Sequence, residues 1–153
     1  MPYDIKIDFS VGSAIFTVIG AVFLIVAIFW LKMAIRKFRR RSDLHGLDRK
    51  GIRKKWGEIE EMLKQNNETG LKLAVIEADK LFDHVLKFMG FGGSSLGERL
   101  KLACYKFEKL RSVWWPHKIR NRIVHEADYR LDCRTAKKAI GFFREGLVEL
   151  GIL

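Results

Sequence analysis

LKLAVIEADKLFDHVLKF, residues 71–88, is the stretch that decides the fold. In it Leu71, Ala74, Ala78, Leu81 and Val85 recur at steps of three and four, while Val75 and Phe82, with Met89 just beyond, widen the stripe. A period of 3.6 residues gathers such positions onto one side of a helix. The width of the stripe predicts the central helix of its domain. Its polar residues include Asp79 and Asp83, one turn apart with His84 beside them, which superficially suggests a metal site or an acid–base pair. Lys80 and Lys87 interleave them, and this mixture of charges points instead to a solvated helix face.

The same period extends in both directions. Upstream, Ile52, Trp56, Ile59 and Leu63 follow steps of four, three and four. Downstream, GFGGSS at residues 90–95 interrupts the pattern with three glycines, and Ser95 followed by Glu98 offers a capping box for a helix whose buried side is Leu96, Leu100, Ala103, Phe107 and Leu110. Cys133, Ala136, Ile140, Phe143, Leu147 and Leu150 then alternate three and four, with Asp132 placed to cap their helix. No alternating strand pattern of useful length occurs. The fold class is all-α, an antiparallel bundle of four or five helices joined by short loops, and these stripes read as core, with nothing that suggests a cofactor box. Cys104 and Cys133 cannot make a disulfide scaffold or a four-ligand zinc site by themselves and read as reduced, packed residues.

Residues 11–31, VGSAIFTVIGAVFLIVAIFWL, contain no charged side chain. At about 1.5 Å per helical residue they match a ~30 Å hydrocarbon layer, and a single helix satisfies its own backbone in lipid. A cleaved signal peptide fits less well: Asp4 and Asp8 precede the run with only Lys6, the run is long, and no small-residue cleavage site follows. Lys32, Arg36, Lys37, Arg39, Arg40 and Arg41 come next, the basic excess of a cytoplasmic flank. Residues 32–55 carry a net charge of +9, whereas residues 56–153 carry +3 of the chain's +11. The basic stretch has a sufficient cause in topology and anionic headgroups, so it does not by itself argue for nucleic acid. The expected organisation is a short extracytoplasmic N-terminus (1–10), a transmembrane helix (11–31), a basic juxtamembrane segment (32–55) and a cytosolic helical domain (56–153), in a single-pass protein of the cell membrane.

One segment does not read as core. In VWWPHKIRNRIVHEADYRLD, residues 113–132, a helix over 115–128 would put Trp115, Ile119, Ile123 and Ala127 on one face. His117, Asn121, His125 and Asp128 would share roughly the opposite face, with Arg120 on the flank and about 140° from His125. One helix does not aim Arg120 and His125 at one small group; two copies across a two-fold axis would. Trp114 and Trp115 are candidates for base stacking, although Trp115 shares the Ile119 face and is expected in the core.

Arg120-Asn121 followed by His125, with four residues between Arg and His, resembles the signature of the HEPN (higher eukaryotes and prokaryotes nucleotide-binding) superfamily. The resemblance extends over approximately residues 56–150 in helix number and order, but only the Arg-Asn…His segment is specific. It implies a dimeric domain that cleaves RNA without a metal, or one that has lost activity and serves in binding or assembly. Arg120, Asn121 and His125 would then be catalytic at a composite site on a two-fold axis. Imidazole suits the proton transfer, since it titrates near neutral pH. A permanently charged planar guanidinium suits the extra charge of a phosphorane. His117, Lys118 and Arg122 are the substrate-binding candidates, His117 also as a second proton-transfer group and the two cations as holders of flanking phosphates. No metal or other cofactor is implied. The expected partners are the lipid bilayer, a second copy of the chain and RNA, with an antitoxin or another protein allowed by the resemblance. The alternative is a non-catalytic, membrane-localised dimerisation or adaptor module, in which Asn121 and His125 hydrogen-bond across an interface and Arg120 pairs with a carboxylate.

Overall fold

A computed structural model of the chain describes residues 18–31 and 47–153. The chain divides into two compact units, Met1–Ser42 and Asp43–Leu153. In the first, residues 18–31 are helical (α1), with Phe23, Ile25, Phe29 and Trp30 among its exposed apolar side chains. No helix among the described residues is long and apolar enough to cross a membrane. The rest of the expected span, residues 11–17, lies outside the described residues, as do the N-terminal segment and the basic run 32–41.

The second unit is all-helical: α2 (Arg49–Lys64), α3 (Glu68–Phe88), α4 (Leu96–Lys106), a 3-10 segment (Glu108–Val113), α5 (Trp114–His125) and α6 (Cys133–Glu149). Four helix starts obey elementary capping chemistry. Asp48, Asn67, Ser95 and Asp132 each turn a side-chain oxygen back to a backbone N–H three residues on, satisfying a donor the helix leaves without a partner. The expected box at α4 is a variant: Ser95 caps Glu98, but the Glu98 carboxylate reaches back one residue further, to the backbone N–H and hydroxyl of Ser94. α5 has no side-chain cap, because Val113 already has helical dihedrals and the 3-10 segment feeds straight into it. Pro116 falls in the first turn of α5, where its missing N–H costs nothing.

At α6 the cap also sets a pH dependence. The Thr135 hydroxyl and backbone N–H hold the Asp132 carboxyl below the usual carboxylate range. A lowered folded-state pKa contributes stability above the unfolded value and loses it as pH falls through the folded value. Asp132→Ala is therefore expected to lower the melting temperature at neutral pH. The gap between the two proteins should close progressively below about pH 4, near the carboxylate reference value; a gap that stays constant down to acid unfolding would remove the charged cap from the account.

α3 is central, packing against α2, α4, α5 and α6. Its expected stripe of Leu71, Ala74, Val75, Ala78, Leu81, Phe82 and Val85 is buried, and the α6 stripe meets it with Ala136, Ile140, Phe143, Leu147 and Leu150. Phe82 and Phe143 pack with centroids 5.8 Å apart. Two glycines of α6 differ sharply. A Cβ at Gly146 would come within 2.7 Å of Phe82 and 2.9 Å of Val113, whereas one at Gly141 meets open space. Gly141→Ala should thus stabilise by up to about 1 kcal/mol from helix propensity. Gly146→Ala should destabilise by about 1–2 kcal/mol, since overpacking outweighs the same propensity gain. Thermal melts with shifts of the same sign would contradict this packing.

Three expected boundaries move. The domain begins before residue 56: Arg49 to Lys55 form the first half of α2, whose Ile52 is buried while Lys50, Arg53 and Lys54 face solvent. The helix expected through Leu110 stops at Lys106, where Phe107 leaves helical dihedrals and sets its ring edge-on to Phe91. The helix expected through Asp128 ends at His125, because Glu126 is extended and its carbonyl accepts the Tyr129 N–H in a turn, so Ala127 and Asp128 share no face with the residues before them.

Candidate functional site

A cleft of about 430 Å³ lies among α3, the 90–95 loop, the start of α4 and α5, and Asp79, Arg99, His117, Arg120 and Asn121 are among its lining residues. Asp79 is only 2% exposed. Its Oδ1 lies 2.7 Å from His117 Nδ1, and its Oδ2 lies 3.2 Å from Arg120 Nε. The Asn121 amide nitrogen sits 3.3 Å from His117 Nε2, and Arg120 Nη1 donates to Asn121 Oδ1 at 3.0 Å. These four contacts close a ring. One assignment makes the three hydrogen bonds consistent: His117 Nδ1–H donates to Asp79, Nε2 accepts from Asn121, and Asn121 Oδ1 accepts from Arg120. A buried carboxylate is thereby paired with a guanidinium and hydrogen-bonded to an imidazole, which is what its burial requires. One group is left over. Arg120 Nε is off hydrogen-bond alignment with Asp79, so this buried N–H has no hydrogen-bond partner.

The opposite wall is held by Arg99, itself buried. Its Nε and Nη2 donate to the two Asp83 oxygens at 2.7 and 3.0 Å, a two-point pairing with α3, and its Nη1 donates to the Gly93 carbonyl. The 90–95 loop is fitted to this anchor. Gly90, at φ +80°, ends α3 with the Phe91 N–H bonded to the Leu86 carbonyl and its own to Lys87, a Schellman closure. Gly93 is at φ +136°, and a Cβ there would come within 2.7 Å of the Glu98 Cβ. The Ser94 N–H and hydroxyl, in turn, hold the Glu98 carboxyl below its usual range.

The residues singled out from sequence separate in space. Arg120 and Asn121 line the cleft together with His117, whereas His125 is exposed at the end of α5 and does not line it. This is the divergence of Arg120 and His125 that helical geometry requires. Lys118 is exposed. Arg122 turns away onto the 126–129 turn, where Glu126 accepts from its Nε at 3.1 Å and the Tyr129 ring lies 4.2 Å beneath it. His117 is buried, not on a solvent-facing side of the helix. Trp115 is half-buried against the core, edge-on to Phe142. Cys104 and Cys133 are free and half-buried; burial pushes the Cys104 thiol up, partly offset by Trp114 and Arg111.

The reading of Asp79 and Asp83 as a solvated face is overturned, since one pairs with His117 and Arg120 and the other with Arg99; His84, Lys80 and Lys87 stay exposed. A signal was present. Val75, Asp79, Phe82 and Leu86 are spaced four, three and four, so Asp79 stands in an apolar register, and a carboxylate there needs a buried partner. Among the described residues no group of three or more His, Cys, Asp or Glu is arranged to hold a metal ion. Compared with family models, with curated proteins and with solved structures, the chain matches none.

Proposed function

We propose that the chain is a membrane-tethered, HEPN-like helical domain that binds RNA and, as a dimer, cleaves it without a metal. Arg120 and Asn121 would engage the scissile phosphate, and His125 would take the 2′-hydroxyl proton. The 2′ oxygen then attacks phosphorus and the bond to the 5′ oxygen breaks, leaving a 2′,3′-cyclic phosphate and a 5′-hydroxyl that receives a proton from imidazolium. One observation carries this reading: the Arg120 guanidinium lines an open cleft, steered by Asp79 and Asn121, where it can donate to an incoming anion. A phosphate oxygen is a suitable acceptor. The exposure of His125 on the same helix leaves it accessible to a second copy. The tether rests on the uncharged run 11–31 and its basic flank.

The full chain in detergent tests it. Cleavage of single-stranded RNA in the presence of a chelator, lost in His125→Ala and in Arg120→Ala while both remain folded, supports the enzyme. The second reading, a non-catalytic dimerisation or adaptor module, is favoured by the ion pair that Arg120 already makes within its own chain; a dimer that neither cleaves nor binds RNA would establish it. The tether fails if alkaline carbonate extracts the protein from membranes.

A further inference from the structure

A second cavity, of about 320 Å³, is lined by Lys101, Cys104, Tyr105, Arg111 and Trp114. Its lining has two cations and two aromatic rings and no carboxylate. Tyr105 is 83% exposed, the most exposed large apolar or aromatic side chain among the described residues. Tyr105 and Trp114 line the same space without packing on each other, since Tyr105 makes no ring contact among the described residues. Lys101 and Arg111 likewise form no ion pair among the described residues. An aromatic ring this exposed is poor core chemistry, and two unpaired cations beside it make a local positive field.

The cavity is joined to the cleft by a shared wall. The Trp114 and His117 rings meet edge-on with centroids 6.0 Å apart. Both close on Gly97 of α4: a Cβ built there would stand 3.6 Å from His117 Nε2 and 3.7 Å from the Trp114 ring, so no side chain intervenes. Two aromatic rings and two cations lining one cavity are the elements of single-strand recognition, in which bases stack and the backbone is neutralised.

We propose that this cavity is a nucleotide subsite for single-stranded RNA, a base entering between Tyr105 and Trp114 while Lys101 and Arg111 take the adjoining phosphates. The inference rests on the RNA reading above and adds a surface which that reading did not use. Fluorescence anisotropy of a labelled single-stranded oligouridine against the full chain in detergent tests it. Tyr105→Ala should weaken binding about tenfold, the worth of one base–aromatic stack, and Tyr105→Phe should preserve it. Lys101→Gln with Arg111→Gln should flatten the dependence of log affinity on log salt by about 1.4, at roughly 0.7 per phosphate contact on a single strand. Lys138→Gln, which removes a cation resting on Trp115, should change neither. Wild-type binding that survives Tyr105→Ala and the double substitution unchanged overturns the subsite and leaves the RNA reading standing. A wild type that binds no RNA overturns both. In nanodiscs containing phosphatidylserine, protection of residues 101–114 from amide exchange before RNA is added would assign the surface to lipid headgroups instead.

Discussion

Replacing Asp79 with Ala is expected to destabilise the domain by about 3 kcal/mol, the cost of breaking a buried ion pair from one side. The carboxylate is buried between α3 and α5, and its loss leaves the His117 Nδ1–H and the Arg120 guanidinium without their partner. Asp79→Asn does not escape this. An amide in place of the carboxylate can offer one acceptor and one donor, whereas His117 and Arg120 both present donors. If His117 shifts its proton to Nε2 to accept from that amide, Asn121 must flip to receive it and then aims its own donors at Arg120. A mismatch persists somewhere in the ring, and about 2 kcal/mol of loss is expected. Denaturant unfolding of Asp79→Ala, His117→Ala and the double variant checks the arrangement. The two single losses should exceed the double by at least about 1 kcal/mol in sum. Additive losses would mean that the ring is not an energetic unit.

Phe143→Ala should cost about 4 kcal/mol and lower the melting temperature by on the order of 20 °C. The side chain is fully buried where α6 crosses α3, in contact with Phe82, and the cavity it leaves is bounded by helices that cannot collapse independently. Its sequence neighbour Phe142 is half-buried against Trp115 and Lys138, so Phe142→Ala should cost markedly less. Melting curves in which the two variants fall together would contradict the assignment of Phe143 to the interior.

That contrast was already legible in the sequence. Cys133, Ala136, Ile140, Phe143, Leu147 and Leu150 keep a three-four alternation that includes Phe143 and passes over Phe142. The caps at Ser95 and Asp132 were equally readable, because they depend on atoms three residues apart. The ends of α4 and α5 were not: no glycine marks either, and each follows from a side chain turning to a partner, Phe107 to Phe91 and Arg122 to Glu126 and Tyr129.

The candidate site divides along the same line. Arg120, Asn121 and His125 stand out by spacing on one helix, and their divergence around it follows from 3.6 residues per turn. His117 and His125 are equivalent by that arithmetic, each four residues from Asn121. Tertiary structure separates them: burial fades along α5 from Pro116, His117 and Ile119 to an exposed C-terminal turn, so one histidine joins a buried ring and the other faces water. Asp79 is the sharper case. Its neighbours on α3 carry enough charge to suggest a wet face, and the partners that make its burial tolerable come from a helix 38 residues later. Local periodicity determined which helices form and which faces they bury. The pairing of one helix's carboxylate with another's imidazole and guanidinium was decided only by packing, since the free energy of a buried charge depends on groups distant in sequence.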